Sequence, residues 1–261
     1  MQNIRGNNLT IGYENNIIID DVSIEFPKNK ITILIGANGC GKSTMLRSFA
    51  RLLKPIEGNI ELNGRSISSL SNKQISKELA ILPQSPVVSG SITVRELVEM
   101  GRFPYQNWKN KLNDIDKKLI EKSLKSTGMY EFSDKTLDSL SGGQRQRVWI
   151  AMVLAQDTDI ILLDEPTTYL DVTYQIDILD LIYKLNREEG KTIVMVLHDL
   201  NLSCRYADHI IGLKDKKIYK QGPPEDVVTK EAVRDIFDMD CEIIKDPLYK
   251  TPMFVPYSSA I

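Results

Sequence analysis

Short, continuous apolar runs alternate along this chain with stretches of helical periodicity. Ile31–Ile35, Ile160–Leu163 and Ile193–Leu197 are rich in Ile, Val and Leu and show no regular apolar–polar alternation. Strands buried on both faces of a sheet read this way. A helical pattern follows each run. Lys42 to Leu53 comes after a Gly-rich turn, Val172 to Asn186 places Val172, Ile176, Leu179, Ile182 and Leu185 at helical spacing, and a short helix starts at Asp199. Strand, helix and strand in alternation predict an α/β fold with a largely parallel sheet.

Two regions depart from that rhythm. Ile4 to Phe26 reads as short strands around the turn-like Gly12–Asn16, and Ile60–Gly64 as a further strand and turn, so an antiparallel β-layer is expected beside the parallel sheet. From Ser85 to about Asp159 the patterns at Val94–Arg102, Asp114–Ser126 and Gly143–Gln156 are all helical, which predicts a helical subdomain inserted in the α/β core. A short helix at Lys230–Phe237 precedes an irregular, Pro-containing tail. The expected organisation is one domain over residues 1–235, with the insertion at about 85–159, and a C-terminal tail over 236–261.

Composition narrows the class. The chain has 261 residues, is 42% apolar and carries a formal net charge of -2. That length supports one substantial core or two packed subdomains. The near-balanced charge argues against a nucleic-acid-coating protein. Three widely spaced cysteines fit neither a disulfide framework nor a zinc site and favour a reducing, cytosolic location. The N-terminus lacks the apolar core of a signal peptide. No apolar run approaches the roughly 20 residues of a membrane helix, so work at a membrane would require docking on a partner.

Chemistry concentrates at a few points. Gly36-Ala37-Asn38-Gly39-Cys40-Gly41-Lys42-Ser43, followed by Thr44, matches G-x-x-x-x-G-K-[ST] between a buried strand and a helix. The glycines let successive backbone N–H groups face phosphate oxygens, Lys42 can reach the β- and γ-phosphates, and Ser43 can ligate Mg²⁺. Asp164 and Glu165 end an apolar strand, where ligands of parallel sheets sit. There Asp164 can hold Mg²⁺ through its water shell and Glu165 can orient and polarise the attacking water. His198 also ends a buried strand, which favours a γ-phosphate contact, whereas His209 reads as an ordinary surface residue. Ser141-Gly142-Gly143-Gln144 at a helix start is a second phosphate-binding cap. One triphosphate rarely needs two caps, so the second would serve the nucleotide of another subunit.

Leu140-Ser141-Gly142-Gly143-Gln144, between that loop and the acidic strand end, resembles the signature of the ABC ATPases, and the resemblance covers nearly the whole chain. It implies a P-loop NTPase (RecA-like) core with an antiparallel β-subdomain and an inserted helical subdomain. It further implies that Tyr13 stacks on adenine, that Gln84 senses Mg²⁺ and contacts the transporter, and that Glu165 is the catalytic carboxylate. Asp171 would lie in the loop crossing the dimer interface, and His198 would be the switch histidine. Where that interface loop often begins Ser-Ala, this chain has Thr168-Tyr169.

A single cassette without membrane helices looks like an importer subunit. Segments such as Gly101–Tyr105, Glu165–Asp171, Val196–Asn201, Cys204–Asp208 and Gly222–Pro224 resemble the ATPases of iron–siderophore importers. Haem and cobalamin importers are close relatives. A soluble ABC protein would usually carry two cassettes or a coiled coil, and an inactive binding module would lose Lys42, Glu165 or His198. The resemblance therefore implies an ATP- and Mg²⁺-dependent homodimer on an integral membrane permease, at the cytoplasmic side of the cell membrane. It would be served indirectly by a substrate-binding protein, with no nucleic acid involved.

Overall fold

The computed structural model describes residues 3–14, 16–86, 88, 91–106 and 111–259. Asn15, in the first expected turn, and parts of the expected 85–159 insertion and 236–261 tail lie outside them. The chain divides into two compact units, Met1–Leu70 with Thr192–Ile261, and Ser71–Lys191.

The first unit holds two sheets and a hairpin. Strands β1 (Ile4–Tyr13), β2 (Asn16–Phe26), β4 (Glu57–Leu62) and β5 (Arg65–Ser66) form an antiparallel sheet in the order β2-β1-β4-β5. Ile4 pairs with both Phe26 and Leu62. Leu9, Ile11, Ile19, Ile24, Phe26, Ile60 and Leu62 are buried, so one face of this layer is core. Helix α1 (Lys42–Phe49) packs against it, with the Phe49 and Phe26 rings edge to face at 4.9 Å. Strand β3 (Ile31–Gly36) lies parallel to both β8 (Thr192–Val196) and β9 (His209–Lys214), and β10 (Lys217–Gly222) closes antiparallel on β9. Every residue of β3 and β8 is buried, including Thr32 and Thr192 among the apolar side chains. Helices α7 (Leu200–Tyr206), α8 (Pro224–Val227) and α9 (Lys230–Phe237) complete the unit.

The second unit is mainly helical. Strands β6 (Leu79–Leu82) and β7 (Ile160–Asp164) pair in parallel. Around them are α2 (Asn72–Ile75), α3 (Val94–Met100), α4 (Asp114–Ser126), α5 (Gly142–Ala155) and α6 (Val172–Glu189). Between residues 85 and 159 the described residues form helices and turns, with one isolated bridge at Thr93–Thr136. Arg102 joins three of these helices. From the end of α3 its Nε donates to Asp116 Oδ1 of α4 at 2.8 Å, and its Nη1 donates to the Ala155 carbonyl of α5 at 2.8 Å. A buried guanidinium paired in this way has partners for both its charge and its donors.

Several expectations need correction. The helix after the glycine-rich loop ends at Phe49 instead of Leu53, because Arg51 turns left-handed at φ 57°. Helix α6 runs past Asn186 to Glu189 and stops at Gly190, whose φ of 64° suits a glycine cap. The tail is ordered: β11 (Met239–Lys245) and β12 (Pro252–Ser259) form an antiparallel hairpin. His209 is not an ordinary surface residue. It is half-buried at the start of β9, and burial lowers its pKa.

Candidate active site

In the first unit the loop between β3 and α1 wraps around its own lysine. Lys42 is only 6% exposed. Its Nζ donates to the carbonyls of Gly36 at 2.7 Å and Ala37 at 3.0 Å, and lies 3.8 Å from Cys40 Sγ. The loop takes this course because glycine permits it. Gly36 has φ 149°, and a Cβ there would come within 2.6 Å of Cys40 Sγ and of the Leu213 carbonyl oxygen. Gly41 caps α1 at φ 104°, where a Cβ would meet Ile18 and Ile19 at 2.8 Å. A glycine-built loop that opens a helix around an ammonium group is suited to triphosphate oxygens.

Ala37, Asn38, Gly39 and Cys40 line one cleft with Ile18 and Lys216. Ser43 and Thr44, in the first turn of α1, are half-buried, and Tyr13 is exposed at the end of β1. His198 is exposed just beyond β8, the parallel neighbour of β3. Loop and histidine therefore leave the carboxyl ends of adjacent strands, where α/β sheets bind ligands. Asp199, next in sequence, caps α7 by accepting from the Leu202 N–H at 2.8 Å.

In the second unit β6 and β7 bring together residues far apart in sequence. Asp164, 1% exposed, ends β7. Glu165 follows in a left-handed conformation at φ 53°. Its Oε2 accepts from Gln84 Nε2 at 2.5 Å and from Thr168 Oγ1 at 2.9 Å. The parallel pairing explains the meeting, because Gln84 lies two residues beyond β6 and Glu165 one beyond β7. Thr168 was legible in the sequence only as a departure from Ser-Ala. The usable signal is a hydroxyl three residues after the acid, within reach through one turn.

Ser141 caps α5 in the same unit. Its Oγ accepts from the Gln144 N–H at 3.3 Å, while Gln144 Oε1 accepts from the Ser141 N–H at 3.1 Å, a reciprocal capping box. Ser141 and Gly142 are exposed, and the space beside the Gly142 Cα is open. Gly143 is buried, and a Cβ on it would lie 2.8 Å from the Tyr174 ring of α6. Asp171 caps α6 by accepting from the Tyr174 N–H at 3.0 Å. Nearby, Tyr169 is 93% and Val172 73% exposed.

Comparison with known proteins places these features in context. A family model described as "ABC transporter" matches residues 19–168, more than half of the chain. The Bacillus anthracis petrobactin import ATP-binding protein FpuD is 57% identical over 249 residues, covering 95% of this chain and 91% of that protein. The Bacillus subtilis (strain 168) protein named "Probable siderophore transport system ATP-binding protein YusV" is 54% identical over 257 residues, covering 98% and 94%. Among solved structures, a transporter assigned to the metal-chelate type, in an inward-facing conformation, superposes with a TM-score of 0.86. It is 27% identical and covers 99% of this chain and 98% of that one.

Proposed function

The chain belongs to the ABC transporter ATP-binding family, and we propose that it is the ATP-hydrolysing subunit of an importer for iron–siderophore chelates. The reading is supported by similarity along 95% of the chain to a protein named for petrobactin import, and along 98% to one named for siderophore transport. Residues 1–235 act as one ATPase domain with a helical insertion at about 85–159, and residues 236–261 are appended to it. Among the described residues no helix is long and apolar enough to cross a membrane. In this proposal the chain acts from the cytoplasmic face through an integral membrane permease, which receives its cargo from a separate binding protein.

In the site, the loop Gly36–Ser43 with Thr44 holds the triphosphate, and Tyr13 stacks on the adenine. Lys42 exchanges its two carbonyl partners for phosphate oxygens, so its ammonium meets anionic acceptors in place of neutral ones. Ser43, Gln84 and Asp164 are the residues that would offer the hard oxygen ligands Mg²⁺ takes. When bound there, the ion would supply charge neutralisation for the transferred phosphoryl group. Glu165 accepts a proton from the attacking water and orients it, and His198 contacts the γ-phosphate. Ser141, Gly142, Gly143 and Gln144 cap the nucleotide bound by a second copy of the chain. Asp171 lies in the loop that crosses between copies, next to exposed Tyr169 and Val172. Two copies related by a two-fold axis close on two ATP molecules and open after hydrolysis.

The test is uptake of radiolabelled iron, presented with a panel of siderophores, in cells lacking this chain. Accumulation of at least one ferric chelate should be lost and then restored by the wild-type gene. Undiminished uptake of every chelate, with loss of haem or cobalamin uptake instead, would overturn the substrate assignment.

A further inference from the structure

Helix α7 begins two residues after His198 and is held on two sides. Leu200, Ser203, Cys204 and Tyr206 are buried in the core of the first unit. Asn201 and Arg205, four residues apart and so on one face of the helix, grip the C-terminal hairpin. Asn201 Nδ2 donates to the Phe254 carbonyl at 3.2 Å, and its Oδ1 accepts from the Phe254 N–H at 2.7 Å. One side-chain amide thus pairs with both backbone groups of a residue in β12, much as a neighbouring strand would. Arg205 makes an ion pair with Asp246 at 3.4 Å, and its guanidinium lies 4.2 Å from the centre of the Tyr249 ring. Asp246 is itself fixed, because its Oδ1 accepts from the N–H groups of Leu248 and Tyr249. His198, Asp199, Asn201, Phe254 and Pro256 line a single cleft.

We propose that the C-terminal hairpin is a splint for His198, with Asn201 as its main positioning residue and Arg205 as a second anchor. A seven-residue helix is too short to hold its own conformation and depends on what it packs against. The Asp199 cap ties His198 to the first turn of α7, so a shift of that turn moves the histidine. Misplacing a catalytic contact by 1 Å can cost about a hundredfold in rate. The hairpin is then part of the machinery for hydrolysis although it contributes no group to the nucleotide. The inference rests on the assignment of His198 to the γ-phosphate.

The experiment uses the full chain. It contains two histidines, His198 and His209, so their imidazole proton resonances are assigned by loss of one signal in His198→Ala. Asn201→Ala should move the His198 signal and leave that of His209 in place. It should lower kcat about tenfold while KM for ATP stays within about twofold, because the phosphate loop is untouched. In a His198→Ala background it should cost nothing further, since the two residues act as one unit. Arg205→Ala should shift the same signal less. An unmoved His198 resonance, an unchanged kcat, or an equal loss in the His198→Ala background would overturn the splint. A His198→Ala chain that hydrolyses ATP at the wild-type rate would instead overturn the role of His198, and the splint's effect on catalysis with it.

Discussion

At Glu165 a single carboxylate oxygen accepts from both Gln84 and Thr168. Glu165→Gln keeps an acceptor oxygen for both donors and removes only the charge that polarises water. ATP binding should persist while hydrolysis falls by about a hundredfold or more, as expected for loss of a general base. The ATP-loaded dimer should then be visible by gel filtration; turnover near the wild-type rate would remove Glu165 from its role. The cysteines differ as sharply in setting. Burial pushes the Cys204 thiol up to about 12, burial also raises that of Cys241, and both side chains are buried. Cys40 is only half-buried, so its sulfur is the more accessible to a reagent. Maleimide should therefore label Cys40 first and inactivate the ATPase, and ATP with Mg²⁺ should slow the labelling. Peptide mapping that finds Cys204 or Cys241 labelled as fast, or no protection by nucleotide, would contradict this.

The helix caps decide how the second half-site can be tested. A carboxylate at Gly142 enters open space, whereas one at Gly143 must first displace the Tyr174 ring. Gly142→Asp should leave the chain folded and able to bind ATP but stop hydrolysis, because it places like charge against the partner's γ-phosphate. Gly143→Asp should lower the melting temperature as well, by several degrees for each kcal/mol of overpacking strain. Equal melting temperatures for the two variants would contradict the packing at Tyr174.

Elements of this kind were unevenly legible in the sequence. The predominantly apolar runs that form β3, β7 and β8 can be read from composition, and the helices α4 and α9 from periodicity. Strands β6 and β10 carry no clear pattern, since Leu79–Leu82 has only four residues and Lys217–Gly222 mixes Lys, Tyr and Gln. The hairpin β11–β12 was hidden by its prolines. Pro252 and Pro256 read as breakers, yet they fit a two-stranded ribbon in which each strand has a single ladder partner. In the site, the loop and the strand-end acids announced themselves by spacing. The bond from Thr168 to Glu165 spans only three residues, whereas that from Gln84 depends on strand register, which no local pattern encodes.

On the scale of the whole molecule, each chain carries a phosphate loop and, in its other unit, a helix cap exposed at Ser141 and Gly142. Pairing two copies with two-fold symmetry would give every nucleotide one loop and one cap, from different chains. Lys42→Ala should weaken ATP binding roughly ten- to a hundredfold, the value of a charge-assisted contact of about 1.5–3 kcal/mol. Gly142→Asp should spare binding and disable the cap. At ATP concentrations well below the weakened dissociation constant of Lys42→Ala, neither homodimer should hydrolyse ATP. A mixed dimer, isolated through two different affinity tags, retains one intact pairing: the loop of the Gly142→Asp chain opposite the cap of the Lys42→Ala chain. ATPase activity in that mixed dimer, absent from both parents, is the predicted result. A mixed dimer as inactive as its parents would contradict a site shared between two copies.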